Sequence, residues 1–162
     1  MTVDAATFRE ALAHVPTSVS VITTIDRHHP YGVTVGSLCS LSLTPPLLLF
    51  CLDRNTRSHR IFSSAGRFLV NVLRHDQQAI AHRFATAGVN RFRGPHAEIH
   101  SMPVISGALA WLLCSRYDVL NGGDHSIVLG LVEQADVGAG RPLLYYDRSY
   151  HTLQAAPLAM DA

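Results

Sequence analysis

Charge is scarce in this chain and is gathered nowhere. Of 162 residues only 15% are charged, against 48% hydrophobic, and the formal net charge is +1. With no clustered Lys/Arg footprint, nucleic acid is not an expected partner. No apolar run reaches the length of about eighteen residues that a membrane helix requires. The residues Met1 to Glu10 include Asp4 and Glu10 and no apolar centre, unlike a signal peptide, so a cytoplasmic protein is expected. Cysteine is sparse as well: Cys39, Cys51 and Cys114 are odd in number, far apart and set in apolar surroundings, which predicts reduced core residues. The chain has no GxSxG elbow, HExxH pair or Walker loop. Gly138-x-Gly140 is followed by Pro142 with no helix start, which argues against a dinucleotide fingerprint. His96 and His100 stand four apart beside Gly and Pro, where helical spacing has no meaning, so no metal site is expected.

So little charge on a domain of this size implies either a large core or an apolar face covered by a second subunit, and the second is the better account. One domain, 1–162, is expected, with its core at about 8–153 and a frayed tail at 154–162. Asp4 is placed to cap a helix carrying Phe8, Leu12 and Val15 and ended by Pro16. Val19 to Ile25 reads as a strand, and Asp26 to Tyr31 as a turn. Val33 to Leu43 alternates as one long or bulged strand, with one face apolar and the other small and hydroxylated. Leu47 to Leu52 is apolar on both faces and reads as central.

Asn55 and Asp76 are expected to cap two short helices, the first with Ile61 and Phe62, the second with Ile80 and Phe84. Phe68 to Leu73 lies between them as a strand, and a polar loop through Gly88, Gly94, Pro95 and Pro103 follows the second. Alternation from Leu109 to Val119, the turn signal Asn121-Gly122-Gly123, and strands at Ser126 to Val132 and Leu143 to Tyr146 complete the pattern. About six or seven strands with short helices between them suit an antiparallel barrel better than a parallel sheet.

Three segments carry chemistry. Gly32 to Ser42 is a stretch of small and hydroxylated residues that would let a planar ligand lie against backbone; an ordinary exposed strand reads equally well. Leu52 to His59 turns from a strand towards a helix, with Arg54 and Arg57 able to meet a phosphate, or else merely solvated. Gly122-Gly123-Asp124-His125-Ser126 is either a plain hairpin turn or one that offers an imidazole at a cleft.

In order, Tyr31-Gly-Val-Thr-Val-Gly-Ser-Leu-Cys-Ser-Leu-Ser-Leu-Thr-Pro-Pro, Cys51-Leu-Asp-Arg-Asn, Gly66-Arg-Phe-Leu-Val-Asn-Val-Leu, Ala110-Trp-Leu and Gly123-Asp-His-Ser-Ile resemble the flavin reductase family with the FMN-binding split barrel, from about Phe8 to Leu153. The resemblance implies a mainly β, antiparallel split barrel with short helices, homodimeric, with flavin near the subunit interface. It implies an NAD(P)H-dependent flavin reductase using FMN or FAD and NADH or NADPH, with a flavin-dependent oxygenase as partner. On that resemblance Thr34, Gly36, Ser37, Leu38, Cys39 and Ser40 line the isoalloxazine. Asp53, Arg54, Asn55 and Arg57 receive the ribityl-phosphate end, and Arg91 and Phe92 also reach the flavin. Asp124, His125 and Tyr150 hold the nicotinamide nucleotide. Hydride would pass directly between the two cofactors, with no catalytic side chain and no metal. The chain departs from the family at Gly36, where Asn or Ser is common, and at Leu113, where a carboxylate is common. A redox relay that keeps its FMN, and a split-barrel protein without reductase activity, remain as alternatives.

Overall fold

A computed structural model describes residues 2–92 and 96–154. In chain order the elements are α1 (Ala5–Ala13), β1 (Thr17–Ser18), β2 (Ser20–Asp26), β3 (His29–Val35), β4 (Cys39–Leu43), β5 (Pro46–Asp53) and α2 (His59–Ser64). They continue with β6 (Arg67–Val72), α3 (Gln78–Ala85), β7 (Ala97–Ile99), β8 (Met102–Val104), β9 (Ala110–Gly122), β10 (His125–Val137), β11 (Leu143–Tyr146) and β12 (Ser149–Thr152). Asp4 caps α1 as expected, its Oδ1 accepting from the amides of Ala6 at 2.9 Å and Thr7 at 3.0 Å. The main sheet runs β3-β2-β6-β9-β10-β5-β4, and β1-β11-β12 and β7-β8 form two smaller ones. Every pairing within them is antiparallel.

The expected single strand over 33–43 is in fact two strands, β3 and β4, and they form the opposite edges of the main sheet. Flat, a sheet of this width would hold its edges about 29 Å apart. The chain passes from Val35 to Cys39 in four Cα steps, which span at most about 15 Å. The sheet must therefore curl, and β3 packs against β5 across the gap. Gly36, Ser37 and Leu38 leave the ladder there, and the Ser37 hydroxyl accepts from the Cys51 amide at 2.9 Å in place of a strand partner.

Curling creates an inside. Ile22, Phe50, Phe68, Val70, Cys114 and Val128 fill it, with Phe50 and Phe68 edge to face at 5.3 Å. A second core, with Val21, Leu73, Ala81, Phe84 and Ile105, lies beneath α3. Asn71 is fully buried and fully used: it donates to the Val21 carbonyl and accepts from the Ile105 amide, pinning the chain that follows β8. Leu113 is likewise fully buried, so a carboxylate there would be stripped of water.

Several boundaries differ from the sequence reading, each for a local reason. Ser58, not Asn55, precedes α2, because Asn55 is held in a tight turn by its amide bond to Asp53 Oδ1. Gln77, not Asp76, precedes α3, because Asp76 is taken by both Nε and Nη2 of Arg74 at 2.8 Å. The 26–31 turn shrinks to Arg27-His28, and the 121–123 turn moves to Gly123-Asp124, where Gly123 adopts a φ of 76°. The supposed polar loop contains the β7–β8 hairpin, while its Gly94 and Pro95 lie outside the described residues, as do 155–162 of the tail. Strands β1 and β12 had no clear sequence signal. The three cysteines are free, but Cys39 is exposed and only Cys114 is buried, which corrects the reading of all three as core.

Gly32 fixes how closely β3 approaches α3, since a Cβ there would come within 2.3 Å of the Phe84 ring. Phe84 is itself buried and cannot retreat. Gly32→Ala is expected to lower stability by about 1–3 kcal/mol, as overpacking does. Urea unfolding of the two proteins measures this, and an unchanged midpoint would contradict the packing described.

Candidate functional site

A groove of about 1000 Å³ runs between β3, the turn after β5, and the chain that follows α3. Pro30 to Thr34 form one wall, Asp53 and Asn55 to Ser58 another, and Gly88 to Phe92 a third. Its size lies at the upper end of the range of about 300–1000 Å³ usual for ligand sites. Arg91 ties the three walls together. Nη1 donates to the Gly32 carbonyl at 2.5 Å and to the Ser58 hydroxyl at 3.3 Å, and Nη2 donates to the Thr86 carbonyl at 3.2 Å. Burial pulls its pKa below the ordinary value, yet a guanidinium stays protonated. All three acceptors are neutral, and among the described residues no carboxylate pairs with Arg91. The groove thus has a positively charged wall.

Of the residues singled out in the sequence, Thr34, Asp53, Asn55, Arg57, Arg91 and Phe92 line this groove. The Thr34 hydroxyl donates to the Ala81 carbonyl at 2.8 Å, fixing β3 to α3. Phe92 meets Phe84 edge-on at 5.1 Å. Gly36 to Ser40 lie outside it, on the crossover and on β4; Leu38 packs on the first core, and a Cβ on Gly36 would reach Thr17 Oγ1 at 3.0 Å.

Arg54 also points elsewhere: Nη2 donates to Asn121 Oδ1 at 2.6 Å, and its amide donates to the Asp124 carbonyl. Those two bonds fasten the β9–β10 hairpin to the groove's turn. They also set His125 opposite Asp53 in the ladder, at the rim. His125 Nδ1 lies 2.7 Å from Asp124 Oδ1, and this bond holds the Asp124 carboxyl below the usual range. Tyr150 sits on β12, edge-on to Tyr145 and packed on the second core, away from the groove.

Tyr31, Gly32, Ser58, Gly88 and Asn90 also line the groove; Gly32 and Ser58 fall within the two segments singled out in the sequence, without being named as site residues there. Tyr31 and Gly32 open the motif quoted above and were the readable pair. Ser58 takes part through its hydroxyl, which accepts from Arg91, while Gly88 and Asn90 contribute position on the chain after α3.

Residues 12–154 match the family described as Flavin reductase like domain. This chain belongs to that family. It is 38% identical over 145 residues to the reductase component of a 4-nitrophenol 4-monooxygenase/4-nitrocatechol 2-monooxygenase from Rhodococcus opacus, covering 88% of this chain and 78% of the relative. It is 40% identical over 154 residues to the reductase subunit HsaB of a flavin-dependent monooxygenase from Mycobacterium tuberculosis, covering 91% and 82%. Among solved structures, the Streptomyces globisporus C-1027 NADH:FAD oxidoreductase SgcE6, in complex with NAD and FAD fragments, superposes with a TM-score of 0.86 at 32% identity, over 96% of this chain and 95% of that one.

The three free cysteines are graded by exposure, from exposed Cys39 through Cys51 to buried Cys114. Burial pushes the Cys114 thiol up to about 12, so at pH 8 it holds its proton and is shielded as well. Alkylation of the native protein at pH 8 is expected to modify exposed Cys39 first and to reach Cys114 only after unfolding. Peptide mass analysis reads the order, and equal labelling of the two would contradict the buried placement of Cys114.

Proposed function

We propose that the chain is an NAD(P)H-dependent flavin reductase that moves hydride from a nicotinamide to FMN or FAD and supplies the reduced flavin to a separate flavin-dependent oxygenase. The observation that carries this is the family match over nearly the whole chain, joined to a wide groove with uncompensated arginine charge. A relative from Streptomyces pristinaespiralis, 37% identical over 153 residues, is an NADH:riboflavin 5'-phosphate oxidoreductase. The described residues fit such ligands. Arg57, without a partner among the described residues, is free to meet a phosphate.

The flavin supplies the hydride-accepting atom. The chain supplies position, because transfer requires the donor and acceptor atoms within about 3–3.5 Å. In this reading Thr34 and the 36–40 segment border the isoalloxazine, Asp53, Asn55 and Arg57 hold the phosphate end, and Arg91 and Phe92 set the width of the groove. Arg54 acts indirectly by holding the hairpin that carries Asp124 and His125, which orient the nicotinamide nucleotide. No step needs a protein nucleophile or a metal.

The protein is further read as a homodimer of split barrels working in the cytoplasm. Phe8, Leu12 and Val15 of the α1 segment are all more than half exposed, and Leu43 on edge strand β4 is 91% exposed. Such apolar surface on a sheet edge calls for a cover. Three free cysteines suit a reducing compartment.

Steady-state oxidation of NADH and NADPH with FMN or FAD in large molar excess over protein tests the central reading. Many turnovers per protein molecule are expected; a single turnover that stops with flavin still bound would favour an electron relay. Two substitutions test the site. Arg57→Ala is expected to weaken FMN binding by about 1–3 kcal/mol, roughly five- to 150-fold, while riboflavin, lacking the phosphate, is unaffected. Fluorescence titration reads both, and equal loss for the two ligands would remove the phosphate from this turn. His125→Ala is expected to raise KM for NADH with flavin affinity unchanged, and an unaltered kcat/KM for NADH would exclude that role.

A further inference from the structure

Behind the 53–60 turn lies a second cavity of about 350 Å³, lined by Asp26, Arg27, Arg57, Arg60, Ile61 and Ser64. Arg57 also lines the main groove, so the two cavities share a wall. Three of the lining residues are arginines from separate parts of the chain: Arg27 from the β2–β3 turn, Arg57 from the turn after β5, and Arg60 from α2. Among the described residues none of the three forms an ion pair, and the one carboxylate present, Asp26, pairs with none of them. The chain contains no lysine, so all 13 of its basic side chains are arginines, and placing three in one cavity concentrates the cation best suited to forked contact with phosphate.

Arg27 is presented at some conformational expense. Arg27 and His28 form a two-residue hairpin turn with φ of 47° and 67°, values that favour Asn and Gly. The Arg27 carbonyl is bonded to His29 Nδ1 at 2.9 Å, which steadies the turn. A turn residue chosen for folding alone would be Asn or Gly.

We propose that this cavity is a subsite for the second phosphate of a dinucleotide, next to the groove that takes the first. The inference rests on the flavin reductase reading. In a dinucleotide the two phosphates share a bridging oxygen, so a ligand whose first phosphate meets Arg57 must place its second directly beside it. The Arg27–Arg60 cavity lies on the far side of that same arginine. FAD and the nicotinamide dinucleotides both carry the required diphosphate, whereas FMN does not. The subsite therefore makes the chain discriminate in favour of dinucleotides.

The test is the double variant Arg27→Asn, Arg60→Gln, in which Asn keeps the left-handed turn and both changes lie on exposed positions. The probe that is independent of flavin chemistry is ADP, which contains the shared diphosphate. Calorimetry is expected to show ADP binding to the parent protein and binding at least tenfold weaker to the variant. Absence of ADP binding to the parent, or equal binding by both proteins, overturns the subsite. The source of the phosphate is then read from two ratios. A tenfold loss in FAD affinity relative to FMN assigns the cavity to the flavin, and a tenfold rise in KM for NADH with that ratio constant assigns it to the nicotinamide nucleotide. If ADP binding weakens and neither ratio moves, the cavity serves neither cofactor and the proposal fails. Failure of the parent to turn over flavin would sink the reductase reading while leaving the ADP result to judge the cavity by itself.

Discussion

The guanidinium of Arg91 bonds three separate stretches of chain around one groove. Its partners are Gly32 on an edge strand, Ser58 at the start of a helix of only six residues, and Thr86 just past the end of α3. Charged hydrogen bonds of this kind contribute about 1.5–3 kcal/mol each, enough to hold elements too short to be stable alone. On the opposite side, Gly32 meets the Phe84 ring with no space for a Cβ. The groove is thus bounded by contact on one side and by a cation on the other. Because Arg91 bonds only neutral groups, its charge is left for whatever enters, and structure and recognition draw on one side chain.

The curled sheet provides the frame for that clamp. Joining the two sheet edges through Gly36-Ser37-Leu38 brings β3 across to β5 and so sets Pro30 to Thr34 facing the turn after β5. The hairpin of β9 and β10 reaches the same place from the other direction, and Arg54 latches it through Asn121. A break in the 36–38 crossover would therefore open the groove from its base, although none of those three residues lines it.

Much of this was legible from the sequence because it depends on periodicity and local chemistry. The α1 cap and the strands at 19–25, 47–52, 68–73 and 143–146 follow from alternation and turn residues, and the ordered motifs carry the family resemblance. What was not legible depended on competition between distant or neighbouring partners. Asp76 has the right residue type for a cap, but Arg74 binds it first. Asn55 lost its capping role to Asp53 in the same way. The run 33–43 alternates without interruption, and only tertiary curling sends its halves to opposite edges. The groove's walls were partly hidden for a different reason: Gly32 and Gly88 contribute shape, and shape carries no residue signature until the neighbouring element is known.

One mismatch between sequence and single-chain structure has a physical reading of its own. Residues 36–40, expected from the family resemblance to border the flavin, lie in one chain along an open margin beside Leu41 and Leu43, which are 48% and 91% exposed. Edge strand β4 has β5 on one side and no partner on the other among the described residues. Exposed apolar side chains on an unpaired edge favour uncontrolled association unless something specific covers them. On the homodimer reading the cover is a second copy, and burying that edge turns residues 36–40 from a margin into a wall. On that reading lean charge, uncovered edge and displaced motif share a single cause, a ligand site completed between two chains.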